Sequence, residues 1–119
     1  MYERLNMSTD NALAYRINQP LSKIEIQEIR LDLEGTIAAK GKIRVLIDLH
    51  AFPYVDLESF WEDLKFEVKY VRELERFALV GGGEIEKWAT RAFGALTFTR
   101  CRCFAETQLE EAWSWLTED

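Results

Sequence analysis

The chain has 119 residues, 48% of them hydrophobic and 30% charged, with 15 Lys and Arg against 21 Asp and Glu for a formal net charge of −6. This is the composition of one globular domain, residues 1–119, with a real core, and it argues against disorder. The acidic balance argues against nucleic acid or an anionic membrane as partner, because no basic stripe is present to neutralise phosphates.

The chain opens with two short alternating segments, residues 4–8 and 12–18, and Thr9-Asp10-Asn11 between them suits a hairpin turn. After Gln19-Pro20, Ser22-Lys23-Ile24-Glu25 reads as a capping box, and the helix it opens is expected to run to Lys40 and close at Gly41. Residues 42–49 hold Ile43, Val45, Leu46, Ile47 and Leu49, the signature of a strand covered on both faces. Asp56 caps a second long helix reaching residue 73. Residues 76–80 form another buried strand, and Gly81-Gly82-Gly83 leads into a helix over 84–93. Residues 100–104 are the last strand, and Thr107-Gln108-Leu109-Glu110 reads as a second capping box for a final helix. The predicted order is ββαβαβαβα: an α/β domain whose mixed sheet of four or five strands carries four helices.

Compartment follows from what these elements lack. Met1-Tyr2-Glu3-Arg4 is charged with no apolar segment behind it, unlike a secretory signal. The uncharged run from Ala92 to Thr99 falls far short of the roughly 20 residues that span a bilayer. Cys101 and Cys103 share one face of a strand in a C-x-C spacing that suits neither a disulfide nor zinc, so two reduced thiols in the cytoplasm are expected. No metal and no cofactor are expected.

Helical spacing sorts the helices into faces. Ile26, Ile29, Leu33 and Ile37 make a core stripe on the first helix, while Ile24 and Leu31 lie about half a turn away. On the second, Leu57, Phe60, Trp61, Leu64, Val68 and Val71 form the core stripe, and Phe66 and Tyr70 fall opposite, beside Ser59 and Asp63. These off-stripe residues are either covered by neighbouring elements or form a subunit or partner interface. A two-fold interface is the simplest form.

Chemistry has few candidates. His50 ends the central strand, where α/β sheets bind ligands, but no nucleophile or carboxylate stands at a diagnostic spacing beside it. Asp48 on that strand suits a loop or helix cap. The Gly81–Gly83 junction lacks the Lys-Ser/Thr of a phosphate loop, and Glu84 and Glu86 would repel an anion there. Trp61, Trp88 and Trp113 lie on core stripes, with Trp115 beside one. The alternative is a pocket between sheet and helices for a small apolar ligand.

The segments Phe60-Trp61-Glu62-Asp63-Leu64-Lys65-Phe66, Arg76-Phe77-Ala78-Leu79-Val80-Gly81, Trp88, Phe104 and Glu111-Ala112-Trp113-Ser114-Trp115-Leu116 resemble the small bacterial SpoIIAA-like proteins, grouped with STAS domains and related in fold to CRAL-TRIO lipid-binding domains. The resemblance spans nearly the whole chain and implies a β/α superhelix with no established enzyme activity. It suggests two roles, a regulatory protein-binding module or a holder of hydrophobic ligands. The related anti-sigma factor antagonists place a phosphorylatable serine directly after an aspartate. Asp56 matches that aspartate, but Leu57 stands in the serine's place and Ser59 comes two residues late.

The expectation is therefore a non-enzymatic cytoplasmic binding module, acting on a protein partner or on itself as a homodimer. Its contact residues would be Phe52, Tyr54, Asp56, Ser59, Asp63, Phe66 and Tyr70, with Ile24 and Leu31 on the first helix. The rival is a carrier or sensor of a small lipid-like ligand, held near His50, Trp61, Trp88 and Phe104.

Overall fold

Runs in which apolar residues take nearly every position, not alternate ones, form strands that need cover on both faces. In the computed structural model, which describes residues 2–5, 11–17, 22–49, 73–81 and 99–118, three such runs lie side by side. They are β2 (Ala12–Ile17), β3 (Ile43–Asp48) and β4 (Leu74–Val80). With β1 (Tyr2–Arg4) and β5 (Arg100–Phe104) they make a five-stranded sheet in the order β1-β2-β3-β4-β5. β1 pairs antiparallel with β2, and the three remaining pairs are parallel. α1 (Lys23–Lys40) joins β2 to β3, and α2 (Leu109–Thr117) follows β5.

The mixed sheet is as expected, with five strands, and the strand over residues 100–104 matches to the residue. The predicted order ββαβαβαβα with four helices needs correction. Among the described residues the order is ββαβββα with two helices. Parallel neighbours require long connections, and those after β3 and β4 run through 50–72 and 82–98; the helix expected over 84–93 and, apart from Glu73 in a turn, the one expected over 56–73 lie there, outside the described residues. The first strand also sits earlier than the expected 4–8. Tyr2 pairs with Ile17 and Arg4 with Tyr15, a register reinforced by an edge-on contact between the Tyr2 and Tyr15 rings at 6.1 Å. Among the described residues no helix is long and apolar enough to cross a membrane.

The side-chain alternation of each strand divides the core in two. Leu13, Tyr15 and Ile17, Val45, Ile47 and Leu49, and Phe77 and Leu79 face α1, whose Ile26, Ile29, Leu33 and Ile37 cover them. On the other face Ala12, Ala14, Leu46, Ala78 and Val80 lie beneath Ala112 and Leu116 of α2, with Phe104 alongside. The small residues on that face let the α2 backbone come close to the sheet. Cys101 and Cys103 are free thiols that pack against the α1-side core, sharing a face as their spacing predicts.

The last turn of α2 contains no basic residue to meet its orphan carbonyls. The sheet supplies the charge instead. Arg76 donates to the Trp115 carbonyl at 2.6 Å, and Arg44 to the carbonyls of Leu116 at 2.9 Å and Glu118 at 2.8 Å. Arg44 is itself held by Glu75 at 2.6 Å, and the Arg76 guanidinium lies 5.7 Å from the centre of the Trp115 ring. At the other end the second capping box does not form. The N-cap is Gln108, one residue after Thr107; its side chain accepts from the Ala105 amide at 2.8 Å and donates to Glu111 at 3.1 Å. The Thr107 hydroxyl is thus placed in the turn before the helix.

Arg76 is only 7% exposed, so Arg76→Met keeps most of the packing while stripping a charged donor from the Trp115 carbonyl. Urea unfolding is expected to show a loss of about 2 kcal/mol, in the range for a hydrogen bond to a charged group. A loss below about 0.5 kcal/mol would mean that α2 is held by its apolar face alone.

Candidate functional site

Ser22 and Glu25 start α1 as the sequence predicts. The Ser22 hydroxyl accepts from the Glu25 amide at 3.2 Å, and the Glu25 carboxylate accepts from the Ser22 amide at 3.1 Å. That backbone hydrogen bond also lowers the Glu25 pKa. Gly41 ends the helix at φ 85°, a conformation that other residues rarely adopt, and its amide donates to the Ile37 carbonyl at 2.8 Å. The stripe Ile26, Ile29, Leu33 and Ile37 is buried as expected. Each such side chain contributes about 1.5–3 kcal/mol of burial.

A second set of contacts fixes how α1 is rotated on the sheet. The Tyr15 hydroxyl hydrogen-bonds to the Asp32 carboxylate, which also meets Arg4 at 3.4 Å. The Tyr2 hydroxyl donates to Glu28 at 3.0 Å. Burial first, and then the hydrogen bond to Asp32, push the Tyr15 pKa far above its ordinary value. With one flank tied to β1 and β2 and one stripe in the core, the remaining face of α1 points away from the sheet.

That face carries Ile24 and Leu31, seven residues apart and thus nearly in line along the helix. They are 71% and 66% exposed, the large exposed hydrophobic residues among those described. Next to Leu31 is a shallow hollow of about 250 Å³ lined by Leu31, Asp32, Gly35, Thr36, Ala39 and Lys40. A Cβ placed on Gly35 would meet nothing within 4 Å. Gly35 therefore answers to no packing demand among the described residues, although glycine in a helix interior costs about 1 kcal/mol relative to alanine.

Ile24 and Leu31 thus stand where the off-stripe reading puts them. Phe52, Tyr54, Asp56, Ser59, Asp63, Phe66 and Tyr70, and the pocket candidates His50, Trp61 and Trp88, lie outside the described residues. Phe104 belongs to the α2-side core, with its ring 5.9 Å from that of Trp115 and the Arg102 guanidinium 4.9 Å from its centre. Trp113 and Trp115 are both half-buried and pack against that same core. At the carboxyl ends of the strands, Asp48 is 2% exposed and accepts from Arg16 at 3.0 Å, while the Gly81 amide donates to the Phe104 carbonyl. Among the described residues no cluster of His, Cys, Asp or Glu is placed to hold a metal ion. Burial pushes the Cys101 thiol up to about 12, so it is largely protonated at neutral pH. The sequence reading missed Gly35, Thr36 and Ala39; an unforced glycine four residues after an off-stripe leucine was the available signal.

A family model, SpoIIAA-like, matches residues 12–117 of the chain that builds this sheet. The chain belongs to the SpoIIAA-like family. Among solved structures, an uncharacterised protein of the DUF3478 family from Shewanella loihica PV-4, with a SpoIIAA-like fold, is similar at 28% identity and a TM-score of 0.64. The alignment covers 97% of this chain and 93% of that one. No curated protein matches. The SpoIIAA-like match starts at the first residue of β2, so β1, which clamps α1 through Tyr2 and Arg4, precedes the matched residues.

Two measurements check this surface. Gly35→Ala is expected to raise stability by about 1 kcal/mol in urea unfolding, since the new methyl meets open space. A loss would show that the position is packed. Tyr15 should ionise later than Tyr2. Its raised pKa stabilises the fold fully below about pH 10, and that contribution is lost as pH rises through the folded value. The tyrosinate absorbance should therefore show a delayed fraction that coincides with alkaline unfolding and is absent from Tyr15→Phe.

Proposed function

We propose that this SpoIIAA-like chain is a non-enzymatic cytoplasmic binding module that works through protein–protein contact on the outer face of α1. The observation that carries the reading is the in-line pair Ile24 and Leu31, held outward by contacts that consume the other faces of the helix. Exposed apolar residues that are aligned and rimmed by charge are what interfaces use, in contrast to singly scattered ones. The strand ends give less to a catalytic reading, because Asp48 is engaged by Arg16 and the Gly81 amide by the Phe104 carbonyl. The carrier reading draws less support as well, since Phe104 is packed between Trp115 and Arg102.

A photoreactive benzophenone residue in place of Leu31 tests the contact in living cells. Irradiation is expected to give covalent protein adducts from position 31. The same probe in place of Glu110, exposed on the first turn of α2, should give none. Equal yields from the two positions, or none from position 31, would remove the assignment of this face.

A further inference from the structure

β5 ends the strand order beside β4, and its side chains alternate between the two faces of the sheet. Cys101 and Cys103 share the α1 side, half-buried against that core, and both are free thiols. Side chains two residues apart on a strand stand about 6.6 Å from each other. A disulfide needs its Cβ atoms about 3.8 Å apart, so the strand holds this pair as two thiols. A single metal atom set between the sulfurs closes the same gap. Two metal–sulfur bonds of about 2.3 Å, the length found for zinc, span about twice an S–S bond.

The donor set decides which metal fits. Structural zinc takes four Cys and His ligands, and iron–sulfur clusters take four thiolates. This chain has two cysteines and one histidine in all. Among the described residues no group of three or more His, Cys, Asp or Glu includes the pair. Magnesium and calcium require oxygen ligands. Copper(I) is soft, selects thiolates and is satisfied by two of them in line. The Cys101 thiol donates to the Thr99 carbonyl at 3.6 Å, toward the amino end of the strand. Burial and, after it, the nearby charge of Cys103 raise the Cys101 pKa, so each sulfur lies within electrostatic reach of the other. A metal that displaces the Cys101 proton also removes the donor that holds the sulfur to Thr99. Rotation to another staggered well then turns that sulfur toward Cys103.

We propose that Cys101 and Cys103 together bind one copper(I) ion between their sulfurs. Two S–H bonds break, two copper–thiolate bonds form and two protons pass to solvent. Copper stays in its +1 state, so nothing is oxidised or reduced. The site lies on β5, apart from the outer face of α1, and does not rest on the protein-binding reading.

The full reduced chain, titrated without oxygen with the copper(I)–acetonitrile complex in weak buffer near pH 6, tests this. It should take up one copper and release two protons per copper bound. One equivalent should protect both thiols from N-ethylmaleimide together, a readout that needs no substitution in the chain. Zinc at the same concentration should leave both thiols open to the reagent. With bicinchoninate as competitor, Cys101→Ser and Cys103→Ser should each give up copper at least tenfold more readily than the parent. Circular dichroism of both variants should match that of the parent, and if either fails to fold, proton release and thiol protection in the parent decide. One copper shared by two chains, a single proton released, or copper held equally well by either folded serine variant would overturn the proposal. Equal protection of the thiols by zinc would overturn it as well.

Discussion

Parallel pairing of β2, β3 and β4 obliges both faces of the sheet to be covered, and the rest of the molecule answers that demand. The strands do so unequally. Toward α1 they present Leu13, Tyr15, Val45, Ile47, Phe77 and Leu79; toward α2 they present Ala12, Ala14, Leu46, Ala78 and Val80. Bulk on one side suits an 18-residue helix with four large apolar residues. Small side chains on the other let a nine-residue helix sit close, near enough for arginines from the strands to reach its carbonyls.

Charge completes what apolar packing begins. Arg44 and Arg76 leave the sheet on the α2 side and end on the last turn of that helix, supplying the positive charge that its own sequence lacks. Asp32 on α1 receives Tyr15 and Arg4 and so fixes the rotation of α1 about its axis. Apolar stripes alone tolerate some rotation, because ridges and grooves repeat along a helix. A buried hydroxyl paired with a carboxylate tolerates much less, since misalignment would leave both unsatisfied. The outward direction of Ile24 and Leu31 is thus set by polar contacts on the flank of the helix and by burial beneath it.

Much of this was legible in the sequence because it rests on periodicity and local caps. The capping box at Ser22 and Glu25, the stop at Gly41, the stripe from Ile26 to Ile37 and the double-faced strand around Val45 depend on neighbours within a turn or two. The failures share the opposite property. Thr107 and Glu110 have the spacing of a capping box, yet Gln108 takes the N-cap position because its long side chain reaches both Ala105 and Glu111. The first strand lies earlier than its alternation suggests because Tyr2 is drawn into the sheet by Tyr15 and Glu28, partners distant in sequence. Nothing near Arg44 or Arg76 indicates that they serve α2. The hollow beside Leu31 could not be read from periodicity either, since it consists of the absence of side-chain volume at Gly35 and Ala39.

The family match and the surface of α1 speak to different questions. The segments that make this chain resemble its relatives are built largely from core and cap residues, such as Phe77, Ala78 and Val80 on β4 and Ala112 and Leu116 on α2. Those residues specify a sheet and the way its helices pack, and a shared fold hosts unrelated functions. Ile24, Leu31 and Gly35 contribute nothing to that core. Two exposed aliphatic side chains and an interior helix glycine each work against a solitary chain, the former by exposing apolar area to water and the latter by loosening the helix. A sequence that folds by consistent local choices departs from them where something other than folding is served. In this chain the departures coincide on one face of one helix, which is why the proposed contact is placed there and not at the strand ends where α/β sheets usually hold their ligands.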